Sequence, residues 1–131
     1  MRILIAEDDL ASRKFMLKLL SAYGECDLTI DGMEALEAFM MAWDEGRPYD
    51  LIFLDIMMPT LDGEKTLKMI RDIEKQKGIN DSGRVKIIMT TALNDTDRVT
   101  KAFEIGWEAY ASKPINTEKL VEVIKKLGLI Q

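Results

Sequence analysis

A chain of 131 residues has the length of one ordinary domain, and 47% hydrophobic with 31% charged side chains is the composition of an ordered globular protein. Its 18 basic and 23 acidic side chains leave a net charge of −5, which argues against a general affinity for nucleic-acid backbones or anionic membrane surfaces. With no His and a single Cys, a zinc centre and an internal disulfide are excluded, and Cys26 reads as a small core residue of a reducing compartment.

Met1-Arg2 leads straight into Ile3-Leu4-Ile5-Ala6, with neither a signal-peptide apolar region nor the ~18 apolar residues of a membrane span, so a cytoplasmic location is expected. This first run is short, branched and nearly continuous, the pattern of a parallel strand covered on both faces. Phe15, Met16, Leu19, Leu20 and Tyr23 recur at spacings of three and four and predict a first helix with that face packed inward. Residues 26–30 read as a weaker strand. Asp31 followed by Glu34 is a helix-start signal, and Leu36, Phe39, Met40 and Trp43 form the apolar face of the second helix. Leu51-Ile52-Phe53-Leu54 is the third strand, with Pro59 beyond it, Asp62 as the cap of a third helix, and Leu67 and Ile70 on that helix's core side. Residues 77–84 form the one long polar stretch, expected as a surface loop. A fourth strand at 85–89, a fourth helix carrying Val99, Ala102, Phe103 and Gly106, a weaker strand at 109–111, and a last helix opening at Asn116 with Leu120, Ile124 and Leu127 complete five βα units.

Alternating strands and helices imply right-handed crossovers and an open parallel sheet with helices on both faces, a single domain over residues 1–131. In such sheets chemistry gathers beyond the carboxyl ends of the strands. There the sequence places Glu7-Asp8-Asp9, Asp55, Thr90-Thr91-Ala92 and Lys113-Pro114. Any one of these alone reads as a solvated cap at a strand-helix junction, but several carboxylates, a hydroxyl and an ammonium at one edge form a site. Clustered carboxylates repel unless a cation compensates, and a few hard oxygen ligands with positions left open suit Mg²⁺. A carboxylate so placed can attack phosphorus if its charge and that of the phosphoryl oxygens are neutralised.

Ile3-Leu4-Ile5-Ala6-Glu7-Asp8-Asp9, Leu54-Asp55-Ile56-Met57-Met58-Pro59 with Asp62-Gly63, Met89-Thr90-Thr91-Ala92 and residues 106–114, ending in Lys113-Pro114, resemble in order and spacing the signature segments of response-regulator receiver domains, including the stand-alone chemotaxis type. The resemblance spans residues 3–127. It implies a flavodoxin-like (βα)5 doubly wound sheet and a phosphoacceptor signalling domain rather than a turnover enzyme. Position by position it implies that Asp55 is the phosphoacceptor, Asp8 a direct Mg²⁺ ligand and Glu7 a ligand acting through water, with the Met57 backbone carbonyl completing the metal site. Asp9 falls outside the pair, as a helix cap. The resemblance further implies that Thr91 is the switch hydroxyl, Ala92 supplies a backbone N–H to the phosphoryl group, Lys113 pairs with a phosphoryl oxygen, Lys113-Pro114 is a peptide bond often cis, and Tyr110 is the aromatic switch.

Without a His, the phosphoryl donor must be a second protein, a sensor histidine kinase or a phosphotransfer protein. No output domain is expected after the last helix, so the signal should leave by protein binding at the surface of the fourth helix, fifth strand and fifth helix. Apolar Met57 and Leu93, two residues beyond Asp55 and Thr91, should slow hydrolysis of the acyl phosphate. Three other functions fit the sequence less well. A haloacid-dehalogenase-type phosphatase needs an acid where Met57 stands. A flavin or nucleotide binder needs a phosphate-cradling loop where acidic Glu7-Asp8-Asp9 stands. An interaction module with an idle acidic site would fail to take up phosphate from acetyl phosphate.

Overall fold

A computed structural model describes residues 1–91 and 106–131. Ala92, Leu93 and the predicted fourth helix, apart from Gly106, lie outside the described residues.

In chain order the elements are β1 (Arg2–Ala6), α1 (Leu10–Leu20), β2 (Glu25–Thr29), α2 (Gly32–Asp44), β3 (Leu51–Asp55), α3 (Gly63–Gln76), β4 (Lys86–Thr91), β5 (Ala109–Ser112) and a last helix, α4 (Thr117–Lys126). The strands form one parallel sheet in the order β2-β1-β3-β4-β5. Alternation along each strand sends successive side chains to opposite faces. Ile3, Ile5, Phe53 and Ile88 meet Met16 and Leu20 of α1 and Leu120 and Ile124 of α4. Leu4, Ala6, Leu54 and Met89 meet Leu36 and Phe39 of α2 and Leu67 and Ile70 of α3. Central strands buried from both sides explain why their sequences read as unbroken apolar runs.

The helix starts follow the capping chemistry of their sequences. Side-chain oxygens of Asp9, Asp31, Asp62 and Asn116 accept from the N–H groups of Ser12, Glu34, Lys65 and Lys119 at 2.8–3.0 Å, which satisfies donors that the first turn leaves unpaired. Glu34 also reaches back to the Ile30 N–H at 3.1 Å.

The helices bury narrower stripes than their periodicity suggested. Phe15 is 43% exposed and Met40 47%, so neither is the core residue expected of it. Each lies one position, about 100° of helix, from a buried neighbour, Met16 or Phe39, and a helix lying flat on a sheet buries roughly that arc. Cys26 is half-buried on edge strand β2, against the α1 side of the core. Residues 77–83 are mainly exposed, as expected of a surface loop. Among the described residues no helix is long and apolar enough to cross a membrane.

Candidate functional site

β1 and β3 are neighbours in the sheet, yet the helices that follow them lie on opposite faces. Their carboxyl ends therefore part and leave a crevice, the switch point at which open α/β sheets bind ligands. Ala6 is the register partner of Leu54, so Glu7 and Asp55 emerge side by side one step further on. Carboxylate oxygens of Glu7, Asp8 and Asp55 lie within 4.8 Å of one another.

Lys113 closes the site from the next element but one. Its N–H bonds the Thr91 carbonyl at 2.7 Å, extending the β4–β5 ladder by one residue. Its Nζ lies 2.6 Å from Glu7 Oε1 and 3.0 Å from Asp55 Oδ2. Asp55 is only 3% exposed and Glu7 is also buried, whereas Asp8 faces solvent. The Met57 N–H approaches Asp55 Oδ1 at 3.3 Å and the Asp9 N–H approaches Glu7 Oε2 at 3.2 Å.

Crowding of like charge shows in the titration of these groups. Burial, then the hydrogen bond and charge of Asp55, push the Glu7 carboxyl above its ordinary value despite Lys113. Burial and then Glu7 push Asp8 up as well. For Lys113, burial opposes the ammonium, but hydrogen bonds to Glu7 and Asp55 outweigh it and raise the pKa.

A raised carboxyl pKa means that the native state binds its proton more tightly than the unfolded chain does. The associated stability is present below the ordinary value, 3.8 for Asp8, and is lost as pH climbs through the raised one. Asp8→Asn removes that loss. In EDTA the variant should melt slightly above the parent at neutral pH, a small gap because Asp8 is exposed and screened, and one that closes as pH falls toward 3.8. Magnesium should reverse the order by stabilising the parent alone. Thermal melts across pH with and without Mg²⁺ check both signs, and equal responses of the two proteins to Mg²⁺ would remove Asp8 from the metal site.

The other residues singled out in the sequence are distributed around this crevice. Asp9 caps α1, as its position suggested. Met57 is 55% exposed. Thr91, buried, ends β4 one place beyond Thr90, the partner of Asp55. Tyr110 is exposed on β5, its ring meeting Trp107 edge-to-face at 5.5 Å and 80°. The Lys113-Pro114 peptide is cis.

Two residues near the site carry no role in the sequence reading. Gly63 opens α3 with its N–H on the Ile56 carbonyl at 2.9 Å, and a Cβ there would collide with the carbonyl oxygen of Asp55. The adjoining Asp62-Gly63 pair was the available signal. Arg13 is the other, a lone base on the first turn of α1 that no motif marks.

A family model described as the response regulator receiver domain matches residues 3–125. The chain belongs to that family. It is 35% identical over 128 residues to hybrid signal transduction histidine kinase L of Dictyostelium discoideum, covering 97% of this chain but 7% of that protein. Among solved structures it is similar to the receiver domain of the Saccharomyces cerevisiae response regulator Ssk1, solved with the histidine phosphotransfer protein Ypd1: 30% identity, TM-score 0.80, covering 95% of this chain and 87% of that one. A receiver domain protein of Methanospirillum hungatei, described as CheY-like, matches at 26% identity and TM-score 0.78 over 96% of this chain and 91% of that one. The receiver fold is thus the flavodoxin-like one expected from the motifs, and the chain is a two-component signalling domain.

Proposed function

We propose that this receiver takes a phosphoryl group from a phosphohistidine donor onto Asp55 in a Mg²⁺-dependent transfer and signals through the protein it then binds. The observation that carries the reading is the convergence of Glu7, Asp8 and Asp55 within 4.8 Å at the switch point, with Lys113 on two of them. The donors are all hard oxygens, which fits Mg²⁺: Asp8, Asp55 and the Met57 carbonyl would hold it, with Glu7 acting through water. Bound there, Mg²⁺ neutralises charge on the attacking carboxylate and the phosphoryl oxygens.

An Asp55 carboxylate oxygen forms the new P–O bond as the P–N bond to the donor imidazole breaks, and the imidazole keeps the electron pair. Lys113 exchanges Asp55 for a phosphoryl oxygen, the Thr91 hydroxyl turns toward another, and the Ala92 N–H, outside the described residues, supplies a further hydrogen bond. The donor is a sensor kinase or phosphotransfer protein, a reading supported by the likeness to histidine kinases and to a receiver domain solved with a histidine phosphotransfer protein. Its docking place is the apolar cavity of about 300 Å³ that opens beside Glu7 and Lys113, lined by Ala11, Phe15, Phe53, Pro114 and Ile115. That use accounts for the exposed Phe15.

We read the output as leaving through the surface of β5, the last helix and the expected fourth helix, which lies outside the described residues, with Tyr110 responding to Thr91, in a cytoplasmic receiver domain that makes no nucleic-acid or membrane contact of its own. Incubation with acetyl phosphate and Mg²⁺ should add one phosphoryl group by intact mass, none in EDTA, and should move the Tyr110 and Trp107 side-chain NMR signals. An unmodified mass would leave only the interaction-module reading.

Decay of the acyl phosphate is proposed to be slow, since the Met57 side chain can neither accept a proton nor hold an attacking water in line. Met57→Asn should shorten the half-life several-fold in a phosphate-release assay at saturating Mg²⁺. An unchanged half-life would assign the lifetime to some other feature.

A further inference from the structure

Arg13 turns its side chain back over the loop that α1 has just left, the direction that helical side chains favour. Its backbone N–H closes the first turn on the Asp9 carbonyl at 2.9 Å. Its Nη1 donates to two further carbonyls, those of Glu7 at 3.0 Å and Asp8 at 2.9 Å. These oxygens belong to the two peptide planes on either side of the Asp8 Cα. Peptide planes are rigid, so a residue has only the two dihedrals that join them, and holding both planes fixes the direction of its Cβ. Asp8 is the exposed member of the acidic trio and lies in a loop, where the sheet does not hold it.

We propose that Arg13 is a positioning residue for the metal site: by clamping the peptide groups on both sides of Asp8 it aims that carboxylate at Asp55 and pre-forms the divalent-cation site. The inference rests on the Mg²⁺ reading above. The guanidinium bonds main-chain carbonyls, and its charge by itself repels a dication. Charge and positioning therefore predict opposite signs. If charge dominates, removing it tightens Mg²⁺ binding; if the clamp dominates, removing it weakens binding, on the scale of roughly 10- to 100-fold seen when groups that orient metal ligands are lost.

The test is calorimetric titration of the full chain with Mg²⁺ at fixed ionic strength for the parent, Arg13→Gln and Arg13→Lys. Both variants should bind more weakly than the parent by roughly tenfold or more, because the lysine keeps the charge but lacks the planar donor group. Their melting temperatures in EDTA should stay within a few degrees of the parent, and phosphorylation by acetyl phosphate should return to the parental rate at saturating Mg²⁺. Unchanged or tighter binding by either folded variant overturns the inference and leaves the Mg²⁺ reading standing. A parent that binds no Mg²⁺ overturns both. Should Arg13→Gln fail to fold, Arg13→Lys decides the outcome alone.

Discussion

Asp55→Asn should abolish stable phosphorylation while the fold survives. The amide keeps the shape of the carboxylate but lacks the charged oxygen that attacks phosphorus, and loss of a nucleophile lowers a rate by on the order of 10³-fold or more. Stability should hold for a local reason: although Asp55 loses its ion pair, Lys113 keeps Glu7 at 2.6 Å, and the variant relieves part of the repulsion among the three carboxylates. Parent and variant should thus have melting temperatures in EDTA within a few degrees, while only the parent gains the mass of a phosphoryl group from acetyl phosphate and Mg²⁺. A full adduct on the variant would place the acceptor elsewhere. Collapse of the variant's melting temperature would show that Asp55 holds the fold together as well as performing the chemistry.

The second large effect lies at the opposite end of the sheet, where Arg71 of α3 is buried among groups from its own helix and two other segments. Its Nε donates to the Gly106 carbonyl at 2.8 Å, Nη1 to Glu74 at 2.7 Å and to the Val85 carbonyl at 2.8 Å, and Nη2 to both Glu108 oxygens at 3.2 and 2.9 Å. All three nitrogens of the guanidinium are engaged. The two carboxylates serve the sheet in turn, Glu74 accepting the Val85 N–H at 2.7 Å and Glu108 the Ile87 N–H at 2.6 Å, just where the β4–β5 ladder begins. Arg71→Ala removes the cation beside buried Glu74 and leaves Glu108, among the described residues, with Arg84 at 2.9 Å and the Ile87 N–H. Breaking a buried ion pair from one side costs about 3–5 kcal/mol, well above the ~1 kcal/mol of an average substitution. Urea unfolding should show that loss, and Arg71→Lys should not restore it, since an ammonium cannot span the same set of acceptors. A loss below about 1 kcal/mol would mean that water or Arg84 replaces the guanidinium at little cost.

How much of this could be read from the chain follows from what each feature depends on. Ile3-Leu4-Ile5-Ala6 and Leu51-Ile52-Phe53-Leu54 announced central parallel strands because burial on both faces leaves no polar position. Asp9, Asp31, Asp62 and Asn116 announced helix starts because a cap bonds only three residues away. Glu7, Asp8, Asp55 and Lys113 were legible as a group because a parallel sheet brings all strand carboxyl ends to one edge, whatever the distance in sequence. The Arg71 cluster was harder to see. Leu67, Ile70, Arg71 and Glu74 fall at helical spacing, which places the two charges on the buried side of α3, but the partner that makes this tolerable, Glu108, is 37 residues away in a segment marked by its apolar neighbours. Phe15 and Met40 misled for the opposite reason, since periodicity reports a helix's apolar side and not how much of it the sheet covers. Arg13 gave no signal because its partners are main-chain carbonyls, which no side-chain pattern encodes.

The Lys113 bridge separates two events that are often coupled in metalloproteins. In small zinc domains the ligands cannot be held together without the ion, and loading is folding. Here the chain carries a resident cation of its own, an ammonium placed on two of the three carboxylates, which leaves two negative charges for a dication to match. The acidic trio is therefore held together without a divalent ion. On the proposed reading, Mg²⁺ would set how ready the site is to react, while the lysine offsets part of the carboxylate repulsion when the ion is absent.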